Sequence, residues 1–224
     1  MKANYVQRLR FVFRKEGPAR WISHLDLART LERALNRAQM PVSYTQGFNR
    51  RPRLAMAAPL PLGYTSRYEL ADIWLTETMD PDAARAQMMS KMAPGIVVET
   101  AYEVPIAAPS LQASTLSATY VATLRPPQDA AALRQQVDAM HTAESIERIR
   151  ETGKNRKAYD LRPLIHDLSL AETAAGTLQL TMRLSMTPTE NGRPDELLLE
   201  LGLDPLDHLI ERTHIELAET TAPA

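Results

Sequence analysis

"YVQRLRFVFRKEGPARWISHLDLARTLERALNRAQ" (Tyr5–Gln39) decides the fold, because it places a strand directly before a helix. Apolar and polar residues alternate over Tyr5–Lys15, which predicts a half-buried β-strand. Ser23 then precedes a run with helical periodicity, and Asp26 follows three residues later, as in a capping box. Pro41 ends the run, because a proline disfavours helical geometry in the residue before it. The chain is therefore predicted to open with a β-strand and an α-helix.

Strand and helix patterns continue in a regular order along the chain. After the first helix, the sequence predicts two strands, a helix and a strand, which completes the order of a ferredoxin-like domain. The segment "PIAAPSLQAS" (Pro105–Ser114) is predicted to be a linker, and the same order then recurs with one extra strand. We predict an α+β protein with two tandem ferredoxin-like (split βαβ) domains, residues 1–109 and residues 110–224.

The charge of the chain is distributed unevenly. Residues 1–60 contain 12 Lys and Arg but only 3 Asp and Glu, a net charge of +9. The remainder contains 14 basic and 24 acidic residues, a net charge of −10. A chain polarised in this way favours a basic face on its first part and a polyanionic partner. The alternative is that the arginines only cluster on a solvated surface.

The composition excludes several classes of site. The chain has no cysteine, so disulfides, thiolate metal sites and cysteine nucleophiles are excluded, and a reducing cytoplasm is the expected location. No signal-peptide pattern and no run of about 18 apolar residues is visible, so we expect no membrane association. The spacing of His141, His166, His208 and His214 does not fit a metal site. We expect this chain to bind no metal and no cofactor.

The first helix has two faces at about 100° per residue. The apolar face includes His24, and the opposite face carries Arg29, Arg33 and Arg37, which are expected to bind phosphates. His24 is a candidate general acid/base because a histidine titrates near neutral pH. The interpretation that we favour is structural, with His24 packed inward and Asp26 capping the helix, because no serine, cysteine or second histidine accompanies it at a suitable spacing.

The segment "YTQGFNRRPR" (Tyr44–Arg53) has the composition of a loop that binds single-stranded RNA. Gly47 permits a left-handed turn, the aromatic rings offer surfaces for base stacking, and the arginines offer donors to phosphates. The candidate nucleic-acid-binding residues are Tyr44, Phe48, Asn49, Arg50, Arg51 and Arg53. The alternative is a polar loop whose Phe48 folds back onto the core.

A second basic segment, "GKNRKAYDLRP" (Gly153–Pro163), adds further candidates in the second domain. Its nucleic-acid-binding candidates are Lys154, Arg156 and Lys157. Asp160 and Arg162 are two residues apart on a predicted strand, which places them on one face. An ion pair between them and a role in binding a ligand both remain open.

Four segments together resemble the radical-SAM-linked protein family, a domain of unknown function. These segments are "FRKEGPARWISHLDLAR", "YTQGFNRRPRL", "APLPLGYTSRYE" and "YDLRPLI". Members of that family are fused to, or encoded beside, a B12-binding-type radical SAM protein. The family pattern selects Ser23, His24, Asp26, Arg29, Tyr44, Gly47, Phe48, Asn49, Pro52, Leu60, Pro61, Gly63, Glu69, Asp160, Arg162 and Pro163. This chain has Arg50 where the family usually has proline, which adds a positive charge to the loop.

The resemblance implies work on RNA beside a radical SAM partner. Without cysteine this chain cannot hold the iron–sulfur cluster of such an enzyme, so the cluster and SAM are expected only in the partner. We therefore predict a non-catalytic RNA-binding accessory protein for tRNA or rRNA modification or processing. Two alternatives stay open: an RNA-processing or RNA-modifying enzyme with His24 as acid/base and Tyr44 assisting, and a pure protein-interaction module for the radical SAM partner.

Overall fold

The computed structural model of the protein describes residues 4–152 and 155–218. Within these residues the chain is mixed α+β, with four α-helices and ten strands that pair mostly antiparallel. The chain divides into a first unit, Met1–Thr115 with Leu217–Ala224, and a second unit, Leu116–Glu216. No helix in the described part of the chain has the length and apolar composition needed to cross a lipid bilayer.

The first unit contains a sheet of four strands and two helices. In chain order its elements are β1 (Gln7–Lys15), α1 (His24–Arg37), β2 (Leu54–Met56), β3 (Thr65–Leu75), α2 (Pro81–Met89) and β4 (Ile96–Glu103). The strands lie in the order β4-β1-β3-β2, and each neighbouring pair is antiparallel.

Helix α1 begins where the sequence predicts it. The Ser23 hydroxyl oxygen accepts the backbone N–H of Asp26 at 3.1 Å and donates to the Asp26 carboxylate at 2.8 Å. The cap satisfies one of the backbone donors that would otherwise lack a partner at the first turn. The apolar face of the helix, with Leu27, Leu31 and Leu35 fully buried, then packs in the core of the unit.

Strand β1 is buried on both faces, so the prediction of a half-buried strand is wrong. Its outward-predicted residues Arg8 and Arg10 are 1 % and 7 % exposed. Asp72 on β3 makes this burial possible, with one carboxylate oxygen 2.5 Å from Arg8 and the other 2.7 Å from Arg10. Arg8 also donates to the carbonyls of Ala108 and Pro109 at 2.8 and 2.9 Å. Buried charges are tolerated when they are paired and hydrogen-bonded in this way.

The second unit repeats the layout and adds a hairpin. Its elements are β5 (Thr115–Thr123), α3 (Ala130–Thr142), β6 (Glu147–Thr152), β7 (Asn155–Asp160), β8 (Ile165–Glu172), β9 (Leu178–Ser185), α4 (Pro194–Glu200) and β10 (Leu209–Leu217). The main sheet has the order β10-β5-β9-β8. The predicted single extra strand is instead a pair, because β6 and β7 form a separate two-stranded antiparallel sheet.

Candidate nucleic-acid interface

The loop Tyr44–Arg53 lies beside the exposed face of α1. The Tyr44 hydroxyl donates a hydrogen bond of 2.6 Å to the Asn36 side-chain oxygen, and Asn36 is an exposed residue of α1. The neck of the loop is closed by the Thr45 N–H, which donates to the Arg51 carbonyl at 2.8 Å. The two parts of the chain that the sequence marked as basic are therefore adjacent within the first unit.

Phe48 extends from this loop into solvent. Its relative exposure is 109 %, so the alternative in which it folds back onto the core is wrong. Gly47 precedes it with φ at 135°, a backbone conformation that L side chains rarely adopt. The glycine thus permits the turn that directs the phenyl ring outward.

The arginines of this surface differ in how firmly they are held. Among the residues that the structure describes, none forms a hydrogen bond or an ion pair with the guanidinium groups of Arg33, Arg50 and Arg51. Arg29 lies 3.3 Å from the exposed Asp26 carboxylate, a contact that solvent weakens. Arg37 donates to the Lys91 carbonyl at 2.7 Å. Three uncommitted guanidinium groups and one loosely held group therefore face solvent.

Arg53 has a structural role at the end of the loop. Its guanidinium carbon lies 4.7 Å from the ring centroid of Tyr5 and 5.0 Å from that of Trp74. Its backbone N–H also donates to the Ser43 carbonyl at 2.7 Å. These cation–π contacts fix the loop to β3, whereas Asn49 at the loop tip is exposed.

His24 and Tyr44 lie at opposite ends of α1. The hydroxyl of Tyr44 is bonded at Asn36, twelve residues after His24, which corresponds to about 18 Å along the helix axis. Their side chains cannot take part in one proton transfer at that separation. Glu69 is placed in the interior, 1 % exposed and opposite Phe13 in the pairing of β1 with β3. His24 and Tyr44 therefore do not belong to one site.

The hairpin of the second unit carries the other predicted basic residues. Arg156 and Lys157 are exposed, and Lys154 lies outside the described residues. Two further arginines of the hairpin, Arg148 and Arg150, are held by carboxylates of α4. The bond from Arg148 to Glu200 is 2.8 Å, and both bonds from Arg150 to Glu196 are 3.0 Å. These hydrogen bonds to Glu196 outweigh partial burial and raise the pKa of Arg150.

Asp160 and Arg162 do not share a strand face, contrary to the prediction. Strand β7 ends at Asp160, and Arg162 begins a 3-10 turn that contains Pro163. The Asp160 carboxylate accepts the backbone N–H groups of Ile146 at 2.8 Å and Arg162 at 2.9 Å, and these bonds lower the pKa of Asp160.

The Arg162 guanidinium has its own backbone partners. It donates to the carbonyls of Ile165 and His141, both at 3.2 Å. Asp160 and Arg162 therefore brace the turn between β7 and β8.

The sequence reasoning missed Trp21, which is 64 % exposed beside the start of α1. The sequence feature that could have identified it is the pair Arg20–Trp21, an arginine next to a tryptophan in the turn before the helix cap. No metal-ligating group of three or more His, Asp or Glu side chains occurs within residues 4–152 and 155–218.

Residues 8–194 match the family described as an uncharacterized protein conserved in bacteria (DUF2344). The chain belongs to this family. The span matched by DUF2344 includes α1, the loop Tyr44–Arg53 and the hairpin β6–β7, and it ends at the first residue of α4.

Comparison with other proteins adds little to the DUF2344 assignment. No curated protein matches the chain. Similar solved structures include a Cbf5-Nop10-Gar1 complex, with a TM-score of 0.48, 10% identity and coverage of 92% of this chain and 49% of that chain. Another is an H/ACA RNP bound to a substrate RNA containing 2'-deoxyuridine, with a TM-score of 0.45, 9% identity and coverage of 92% and 47%. The chain spans about half the length of these chains, and likeness at this level does not define what it binds.

Proposed function

We propose that this DUF2344 protein is a non-catalytic RNA-binding accessory protein that holds tRNA or rRNA for a radical SAM enzyme. The observation that carries the proposal is the fully exposed Phe48 in a loop with Arg50 and Arg51, fixed beside α1 by the bond between Tyr44 and Asn36. The proposal concerns single-stranded RNA, because only unstacked bases can reach such a ring.

The chemistry of this surface is that of a single-strand site. A phenyl ring in water contributes nothing to the core of its own unit, but a nucleobase stacked on it removes apolar area from solvent. Guanidinium groups without intramolecular partners can donate paired hydrogen bonds to phosphate oxygens. The arginines would set the position of the backbone, and Phe48 would hold a base without strong sequence preference.

The proposal includes the fold of each unit. We infer that both units are ferredoxin-like, which the strand orders β4-β1-β3-β2 and β10-β5-β9-β8 support. Each unit also has two helices, one after its first sheet strand and one before its last. The hairpin β6–β7 is then an insertion between the first helix and the second sheet strand of the second unit.

The radical SAM partner rests on the family resemblance of the four sequence segments and on the lack of cysteine. A chain without thiolates can accompany such an enzyme but cannot itself hold the cluster. We expect the two proteins to co-purify from cells, and treatment with ribonuclease will distinguish a direct contact from one bridged by RNA. Failure to co-purify in either condition contradicts this part of the proposal.

Fluorescence anisotropy with labelled single-stranded RNA tests the RNA-binding function directly. With about four phosphate contacts, affinity should fall roughly 50-fold between about 50 and 200 mM salt. Phe48→Ala should weaken binding roughly five-fold or more through lost stacking. Arg51→Ala should weaken it and flatten the salt dependence.

Arg134→Ala is the matched control, because it removes the same charge from an exposed arginine of α3. Its affinity for RNA should equal that of the wild type. Equal affinities for wild type, Phe48→Ala and Arg51→Ala would rule out this surface.

Incubation of labelled RNA with wild type and His24→Ala should leave the RNA unchanged in both cases, and cleavage by the wild type alone would favour an enzyme.

A further inference from the structure

Trp21 is an exposed aromatic residue that the proposed site does not use. Its relative exposure is 64 %, and the neighbouring Leu62 and the first-turn residue Leu25 are 61 % and 68 % exposed. Scattered exposed leucines are ordinary on a protein surface. An exposed tryptophan is less common, because its large ring is usually highly buried, and here the surrounding chain holds the ring in place.

Two segments of the first unit fix the position of Trp21. The Gly63 N–H donates to the Arg20 carbonyl at 2.9 Å, and the Arg20 side chain returns a bond of 2.8 Å to the Gly63 carbonyl. The Arg20 guanidinium carbon lies 4.7 Å from the centroid of the Trp21 ring. A Cβ at Gly63 would lie only 3.3 Å from Cζ3 of Trp21, so glycine permits this close approach. The ring is thus fixed against Arg20 while most of its surface faces solvent.

Trp21 and Phe48 mark the two ends of α1. Trp21 stands two residues before the helix cap, and the loop that carries Phe48 is bonded to α1 at Asn36. The helix rises about 18 Å between its first residue and Asn36, and Arg29 and Arg33 lie between these ends with a rise of about 6 Å from one to the next. A rise of that size is comparable to the distance between successive phosphates of an extended strand.

We propose that Trp21 is a second base-stacking position, and that one single strand of RNA runs along α1 from Trp21 to Phe48. This inference rests on the proposed RNA-binding function and adds the length and path of the bound segment. The strand would place its phosphates on Arg29 and Arg33, with one base on each terminal aromatic ring. Single-strand sites combine a basic track with stacking rings in this manner.

Charge complementarity favours RNA over a protein as the occupant. The ring of Trp21 already carries the Arg20 guanidinium on one side, so the ligand approaches a positively charged, aromatic surface. Beyond Asp26 in the first turn, the arginines along α1 continue the positive charge away from Trp21. A polyanion with planar bases matches both properties, since stacking and phosphate contacts are satisfied by the same strand.

Intrinsic tryptophan fluorescence tests the inference without altering Trp21. The chain has two tryptophans, and Trp74 is enclosed by Arg53, Arg8 and Tyr5. Trp74→Phe keeps an aromatic ring there and leaves Trp21 as the one tryptophan, whose emission can be excited selectively. Titration with oligouridylate of about ten nucleotides should quench this emission, whereas a strand of about two nucleotides, too short to reach both rings, should bind more weakly.

Affinity measurements complete the test. In the wild-type background, Trp21→Ala should weaken binding of the longer strand roughly five-fold or more, and Trp21→Phe should restore most of it. If the longer strand binds with Phe48-dependent affinity while Trp21 emission stays constant, the second stacking position is disproved and the proposed function stands. If no RNA binds to the wild type, the proposed function itself fails. The fluorescence measurement remains decisive even if Trp21→Ala does not fold.

Discussion

The loop Tyr44–Arg53 and the hairpin β6–β7 are both rich in arginine, yet their arginines are used differently. In the loop, no described residue pairs with the Arg50 and Arg51 guanidinium groups. In the hairpin, Arg150 donates two bonds of 3.0 Å to Glu196 and lies over Tyr159 at 4.6 Å. Similar local composition therefore gives an open basic surface in one unit and a braced element in the other.

The difference shows that a carboxylate from a distant part of the sequence decides what an arginine does. Glu196 lies 46 residues after Arg150, and Asp72 lies 64 residues after Arg8. An arginine with such a partner stabilises its own fold, and one without a partner is available to phosphates. The following variants test that division in order of decreasing effect.

Asp72→Asn should have the largest effect on stability. The substitution leaves two buried guanidinium groups, Arg8 and Arg10, without their counter-charge, which should lower the free energy of unfolding by about 3–5 kcal/mol. Chemical denaturation monitored by circular dichroism measures the change. Glu99→Gln is the control, because its pair with Arg14 at 3.0 Å is exposed and should contribute less than about 1 kcal/mol. Equal losses of unfolding free energy in both variants would refute the claim that the buried Asp72 contacts matter more for stability than the exposed pair of Glu99 and Arg14.

Arg150→Ala and Arg51→Ala compare the two regions directly. Arg150→Ala removes the paired bonds to Glu196 and the stacking on Tyr159, so we expect a loss of about 1–2 kcal/mol in unfolding free energy. Arg51→Ala should change stability by no more than about 0.5 kcal/mol. The effects on RNA affinity should be reversed: Arg51→Ala should bind RNA more weakly than wild type, and Arg150→Ala should bind it about as well as wild type. If Arg150→Ala weakens RNA binding and leaves stability unchanged, the assignment of different roles to the loop and hairpin arginines is wrong.

Local signals in the sequence were sufficient for much of the fold. Ser23 and Asp26, which lie within four residues of each other, predict the start of α1. Asp80 and Pro81 likewise predict the start of α2. The burial of β1 could not be predicted, because a strand with alternating arginines is half-exposed unless a partner such as Asp72 reaches it. That partner is invisible to any short window of sequence.

The candidate site was predictable in composition but not in geometry. The aromatic and arginine content of the loop identified Phe48, Arg50 and Arg51. Nothing local indicated that Arg53 stacks on Trp74 or that Tyr44 binds Asn36, since both contacts depend on the tertiary fold. Spacing alone also misplaced Asp160 and Arg162, because the strand ends between them.

Asp160→Asn should cost less stability than Asp72→Asn or Arg150→Ala, and its effect should depend on pH. The backbone N–H groups of Ile146 and Arg162 hold the pKa of this carboxyl below its value in the unfolded chain. Its contribution to stability is therefore fully present above the unfolded pKa and is lost as pH falls through the lower folded pKa.

Near neutral pH, Asp160→Asn should be less stable than wild type, because the amide retains one acceptor oxygen but no charge. As pH falls below about 4, where the unfolded carboxyl becomes protonated, the difference in unfolding free energy should begin to shrink, and it should disappear below the lower folded pKa. Urea denaturation across this range measures the difference. Asp138→Asn, at an exposed position of α3, should show no comparable gap at neutral pH. A gap for Asp160→Asn that stays constant into acid would mean that the charge of Asp160 does not stabilise the turn between β7 and β8.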